Sequence, residues 1–136
     1  MSISILPFAV VPFRRLATVR DLRVDWNRAD AYLVGTDARF FYLVSRETVD
    51  PAAGLHARMI FYGGEDPATG SAAGCCAAWM VKHGVAAPGR PVLIEQGLEA
   101  RRPSRIHVRA SAGGAGATDV RVGGHVVEVA RGALVF

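Results

Sequence analysis

Ala72, Ala73, Cys75, Cys76, Ala77, Ala78, Trp79, Met80 and Val81 leave no polar stripe before Lys82. At helical spacing the segment from about Ser71 to His83 is apolar on every face, and a helix apolar all round is expected to be covered all round. Roughly 14 residues span about 20 Å, well short of the ~20 apolar residues that cross a bilayer. The cover must therefore come from the rest of the chain. Gly84 supplies the C-terminal stop.

Most of the remaining sequence reads as strand. Residues 3–12 are apolar enough to lie inside a sheet, and Arg39–Val44 is aromatic and β-branched. Leu55–Tyr62 sets His56 and Arg58 against Ala57 and Met59 in alternation. Val92–Glu95, Arg105–Ala110, Asp119–Val122, His125–Ala130 and Ala133–Phe136 follow as strands. Gly123-Gly124 reads as a two-residue hairpin between Val120–Val122 and Val126–Val129, and Gly113–Gly116 as a surface turn. Residues 15–35 carry short helical patterns. One is capped by Asp25, places Ala29, Tyr32 and Leu33 on one face, and stops at Gly35. The expected class is α+β, with a β-barrel-like mixed sheet wrapped around one central apolar helix.

Composition narrows the functions. A chain of 136 residues is one domain with a sizeable core, and 51% hydrophobic against 21% charged residues excludes a disordered chain. The net charge of +4 comes from scattered arginines without a dense basic run, so no nucleic-acid partner is expected. Cys75 and Cys76 are neighbours on a helix, about 100° apart, and do not pair easily. With no disulfide framework and four scattered histidines, the expectation is a cytoplasmic protein with no metal site. The apolar start lacks a basic region ahead of it and carries Pro7 and Pro12, so it reads as a strand rather than a signal peptide, and no membrane association is expected.

The chemistry sits in front of the apolar helix. Glu65 and Asp66 precede it, Pro67 fixes the backbone, Gly70 permits close approach, and Thr69 and Ser71 are both plausible N-caps. A helix N-terminus presents unpaired N–H groups and partial positive charge, so its natural guest is an anion such as a carboxylate. Simple capping is the competing reading, although one capping residue suffices and this loop offers two acids and two hydroxyls. A phosphate-binding P-loop is excluded, because Gly70 is followed directly by Ser71 without the lysine.

Glu65-Asp66-Pro67-Ala68-Thr69-Gly70-Ser71-Ala72 resembles the signature of the PhzF phenazine-biosynthesis family. His56-Ala57-Arg58-Met59, Glu95-Gln96-Gly97, Arg102-Pro103-Ser104, Leu6–Pro12 and the terminal Val122-Gly123-Gly124 and Gly132-Ala133-Leu134 agree with it. The resemblance implies a diaminopimelate-epimerase-like fold of two similar lobes with the active site between them. It implies a cofactor-free isomerase that shifts a proton on a dihydro-hydroxyanthranilate-like ring. Asp66 would be the acid of this lobe. Ser71 would act beside it and, with the backbone of Gly70, Ser71 and Ala72, bind the substrate carboxylate. Thr69 would stand where related epimerases keep a catalytic cysteine and would line the substrate. Cys75 and Cys76 lie too far into the helix for that role and are assigned to the core.

The family's principal base, a glutamate between Ser and Thr, and its accompanying histidine belong to the other lobe. Ser45-Arg46-Glu47-Thr48 carries an inserted arginine and does not match that base. Residues 1–136 thus read as a single second lobe, inactive or weak alone. The alternative is a non-catalytic module that binds a small carboxylate or amino-acid-like molecule and assembles with itself or with a complementary lobe.

Overall fold

In the computed structural model, which describes residues 6–114 and 116–135, the chain forms a curled mixed sheet with three helices. The elements run β1 (Phe8–Phe13), α1 (Leu16–Asp21), α2 (Trp26–Val34), β2 (Phe40–Ser45), β3 (Leu55–Phe61), β4 (Gly64–Asp66), α3 (Gly70–Lys82), β5 (Val92–Gln96), β6 (Ser104–Gly113) and β7 (Gly116–Gly123). The strand order is β1-β2-β3-β5-β6-β7, with β4 paired to β3. β1–β2 and β3–β5 are parallel and the other pairings antiparallel, which makes this an α+β half-barrel.

The core forms where β2, β3, β5 and β6 face α3: Tyr42, Val44, Leu55, Ala57, Ile94 and Val108 pack against Ala73, Cys76, Ala77 and Met80. Burial pushes the Cys76 thiol up to about 12. α3 ends as its glycine predicts, with Gly84 at φ +66 and the Val85 N–H reaching back 2.8 Å to the Met80 carbonyl. It is not covered on every face, however. Cys75, Ala78, Trp79 and Val81 are only half-buried, because the sheet is open between its edge strands β1 and β7. α2 is capped by Asp25, whose carboxylate accepts from the Arg28 N–H at 3.3 Å.

Although His56 and Arg58 alternate with Ala57 and Met59 along β3, they are as buried as their neighbours because each has a carboxylate partner. His56 Nδ1 lies 2.8 Å from Glu95, and Glu95 also accepts from the Val49 and Asp50 N–H groups. The hairpin falls at Gly113–Gly116, joining β6 to β7, and not at Gly123-Gly124. Both sites have glycine turn chemistry, and β7 is used up pairing backwards onto β6. Accordingly residues 125–130 form no strand, and neither do 133–135. Phe136, at the end of the expected last strand, and residues 3–5 of the first lie outside the described residues.

Candidate active site at the N-terminus of α3

β3 sets the site's spacing. Asp66, the last residue of β4, stands opposite Met59, and Gln96, the last of β5, stands opposite Ala57 on the same strand. β4 is absent from the sequence reading because its strand is only three residues long. It exists because Gly63, at φ +76, turns the chain back tightly after β3. Glu65 leaves the site altogether. Its two oxygens grip Arg58 Nε and Nη2 at 2.9 and 2.8 Å, while Arg58 Nη1 donates to the carbonyls of Val19 and Arg20. This pair anchors the β3–β4 turn to α1.

Asp66 and Thr69 are brought together. The Thr69 hydroxyl lies 2.8 Å from Asp66 Oδ2, and the Ala68 N–H donates to Oδ1 at 3.2 Å. Beneath them sits Gln96, fully buried, in contact with the Asp66 carbonyl at 2.7 Å and with the Thr69 hydroxyl at 2.9 Å. The Tyr42 hydroxyl closes the chain of contacts at 2.8 Å from Gln96 Oε1. Burial raises the Tyr42 phenol well above its ordinary value, with the charges at Cys76 and Asp66 adding to it. Gly97 makes the packing possible. At φ +82, a Cβ built on it would fall 2.6 Å from the Pro67 carbonyl oxygen.

Capping does not account for the loop. Thr69 occupies the N-cap position, but its side chain makes no capping hydrogen bond. The first intrahelical bond runs from the Ala73 N–H to the Thr69 carbonyl at 2.9 Å, so the N–H groups of Gly70, Ser71 and Ala72 precede the helix's own ladder. Gly70 and Ser71 are exposed, whereas Ala72 is fully buried one step further in. A hollow of about 530 Å³ opens beside them, lined by Ala68, Gly70, Ser104, Arg105, Val122 and His125 among others. A larger hollow of about 830 Å³ lies between α1 and the β3–β4 turn, with Arg58 and Glu65 in its lining.

Sequence reasoning missed Tyr42 and the role of Gln96. The available signal was a glutamine closing the strand Val92–Gln96, directly after Glu95. Glu47, excluded as the base, accepts from the Leu16 N–H at 2.8 Å and so serves the start of α1. Among the described residues no group of His, Cys, Asp and Glu is arranged to hold a metal ion, and no helix is long and apolar enough to cross a membrane.

The family profile of phenazine biosynthesis-like proteins, PhzC-PhzF, matches residues 4–132. The chain belongs to the PhzF family. It is 37% identical over 137 aligned positions to an uncharacterized isomerase of Mesorhizobium japonicum, covering 95% of this chain and 45% of that protein. It is 44% identical over 72 positions to the trans-2,3-dihydro-3-hydroxyanthranilate isomerase of Pseudomonas fluorescens, covering 53% of this chain and 26% of that one. A predicted epimerase from Pseudomonas aeruginosa superposes with a TM-score of 0.71 at 37% identity, over 96% of this chain and 43% of that one. A PhzF-family phenazine biosynthesis protein of Bacillus anthracis shares the fold, with a TM-score of 0.67 at 20% identity over 78% of this chain and 38% of that one. The chain spans less than half the length of these PhzF relatives.

Proposed function

We propose that this chain supplies the Asp66-bearing half of a cofactor-free isomerase site that takes a small carboxylated ring. The observation that carries this reading is Thr69. The residue placed to cap α3 contacts Asp66 instead, which leaves the exposed Gly70 and Ser71 end of the helix for a ligand anion. The substrate carboxylate sits against the N–H groups of Gly70, Ser71 and Ala72 and the Ser71 hydroxyl, and Thr69 lines the ring. Asp66 faces the substrate amine or the migrating proton. The trans-2,3-dihydro-3-hydroxyanthranilate of the Pseudomonas enzyme's name carries both groups.

Proton transfer between two positions needs a second acid–base group near the substrate. Among the described residues, the groups within hydrogen-bond reach of the Asp66 carboxylate are an amide and a hydroxyl. The chain alone is therefore inactive or weak. Incubation with the dihydro-hydroxyanthranilate in deuterated water, followed by proton NMR, is expected to show no ring-proton exchange by a monomer. Brisk exchange by a monomer overturns this.

A second reading, a module that works by assembly, has its own observation. Val126, Val127, Val129, Leu134 and Val135 are between 84% and 94% exposed, beside a sheet whose β1 and β7 edges are open. A complementary lobe or a second copy of the chain would cover this segment and enclose α3, completing a two-lobed cytoplasmic protein. Sedimentation equilibrium tests it: association at micromolar concentration supports self-assembly, and a monomer throughout leaves only the complementary lobe.

A further inference from the structure

Gln96 is fully buried, and its amide meets four partners whose chemistry fixes its orientation. The Asp66 carbonyl only accepts, so the Gln96 atom 2.7 Å from it is the amide nitrogen. The Thr69 N–H only donates, so the atom 3.4 Å from it is the amide oxygen. The Tyr42 hydroxyl, kept protonated by burial, donates to the same oxygen at 2.8 Å. The Thr69 hydroxyl, 2.9 Å from the amide nitrogen, must accept there. Its single proton is thereby left for Asp66 Oδ2, 2.8 Å away, while the Ala68 N–H supplies Oδ1.

We infer that Gln96 is a positioning residue of the candidate site. It fixes the direction of the Tyr42–Gln96–Thr69–Asp66 chain so that Asp66 meets its ligand as a hydrogen-bond acceptor. This rests on reading the α3 entry as a ligand site. It sharpens the expected role of Asp66 as the acid of the lobe. The carboxylate first accepts an N–H or takes a proton from the ligand, and it donates only after that proton has arrived. The ligand class follows: a small molecule with a carboxylate for the helix end and a hydrogen-bond donor for Asp66, a few ångströms apart.

Anthranilate and benzoate separate the two halves of that requirement, since both carry the carboxylate and only anthranilate carries the amine. Titrated by NMR, the wild-type chain is expected to bind anthranilate more tightly than benzoate. Gln96→Met and the nearly isosteric Thr69→Val should cut the anthranilate-to-benzoate affinity ratio roughly tenfold, the scale of one hydrogen bond to a charged group, and in Gln96→Met benzoate affinity holds. Thr69→Ser, which keeps the hydroxyl, should keep the ratio. A merely structural role would weaken both probes together, and an unchanged ratio in Gln96→Met and Thr69→Val overturns the inference.

A readout without ligand stands beside this one. The Gln96 side-chain NH2 protons should exchange slowly with water, and Thr69→Val should release one of them. Fast exchange in the wild type overturns the inference. Failure of both probes to bind while these protons stay protected condemns the ligand-site reading and leaves the orientation of Gln96 standing.

Discussion

Thr69 stands at the N-cap of α3, yet its hydroxyl lies 2.8 Å from Asp66 Oδ2 and makes no bond to the helix. A capping side chain is commonly worth about 1 kcal/mol to a helix. Here that contribution is absent and the hydroxyl supports the Asp66 carboxylate instead. The consequences can be measured residue by residue.

Asp66→Asn keeps the size of the side chain and removes its charge. One amide oxygen still accepts from Thr69 or from Ala68. Stability should fall by no more than about 1 kcal/mol, within the range of a single neutral hydrogen bond. Ligand binding should be lost, and in any assembled, active form so should isomerisation. Thermal unfolding and calorimetric titration on the same sample check this. A variant that unfolds instead would make Asp66 a structural residue.

Glu65→Gln acts on the neighbouring acid and should behave in the opposite way. The Arg58–Glu65 pair is largely buried, with side-chain exposures of 7% and 14%. Removing one charge leaves the guanidinium with a single amide oxygen and two carbonyls but no counter-charge, and breaking such a pair costs about 3 kcal/mol. Urea unfolding should show that loss. Two adjacent acids are thus separated by function, one for the fold and one for the site.

How much of this was legible beforehand depends on range. α3, its glycine stop, the Asp25 cap and most strands were readable because each is a local pattern of side-chain period and turn chemistry. The Gly123-Gly124 hairpin was misread because two glycine turns compete for β7 and the choice is made by pairing with β6, a tertiary fact. The acid, hydroxyl and glycine cluster before α3 was visible as a site. Its buried support was not, because Tyr42 and Gln96 lie far from Asp66 in sequence and meet it only when β3 aligns them.

Alkaline pH should weaken the fold through its buried acids. The Cys76 thiol is raised by burial from 9.0 to about 12, and Tyr42 is raised in the same direction. The unfolded chain gives up these protons first, so it binds fewer protons than the folded one above pH 9. Stability is therefore full below that pH and lost as pH rises toward 12. Denaturant midpoints measured from pH 7 to pH 11 should fall, and a flat profile would contradict the assignment. By the same burial, a thiol reagent at pH 8 should label Cys75 promptly and Cys76 only after unfolding.

Gly97→Ala tests the close approach of β5 to the loop. The residue sits at φ +82, and a Cβ would fall 2.6 Å from the Pro67 carbonyl oxygen. The left-handed backbone alone costs about 1 kcal/mol or more for alanine, and the clash adds to it. The variant should lose roughly 2 kcal/mol or more of stability, and its NMR shifts should move at Asp66–Thr69.

The central claim is that a small carboxylate docks at the entry of α3 beside Asp66. Titrating the 15N-labelled chain with anthranilate and following every backbone amide tests it most directly. Saturable shifts are expected at Asp66, Thr69, Gly70, Ser71 and Ala72, and they should be lost in Asp66→Asn. Shifts confined to the hollow between α1 and the β3–β4 turn, or none at all, would contradict it.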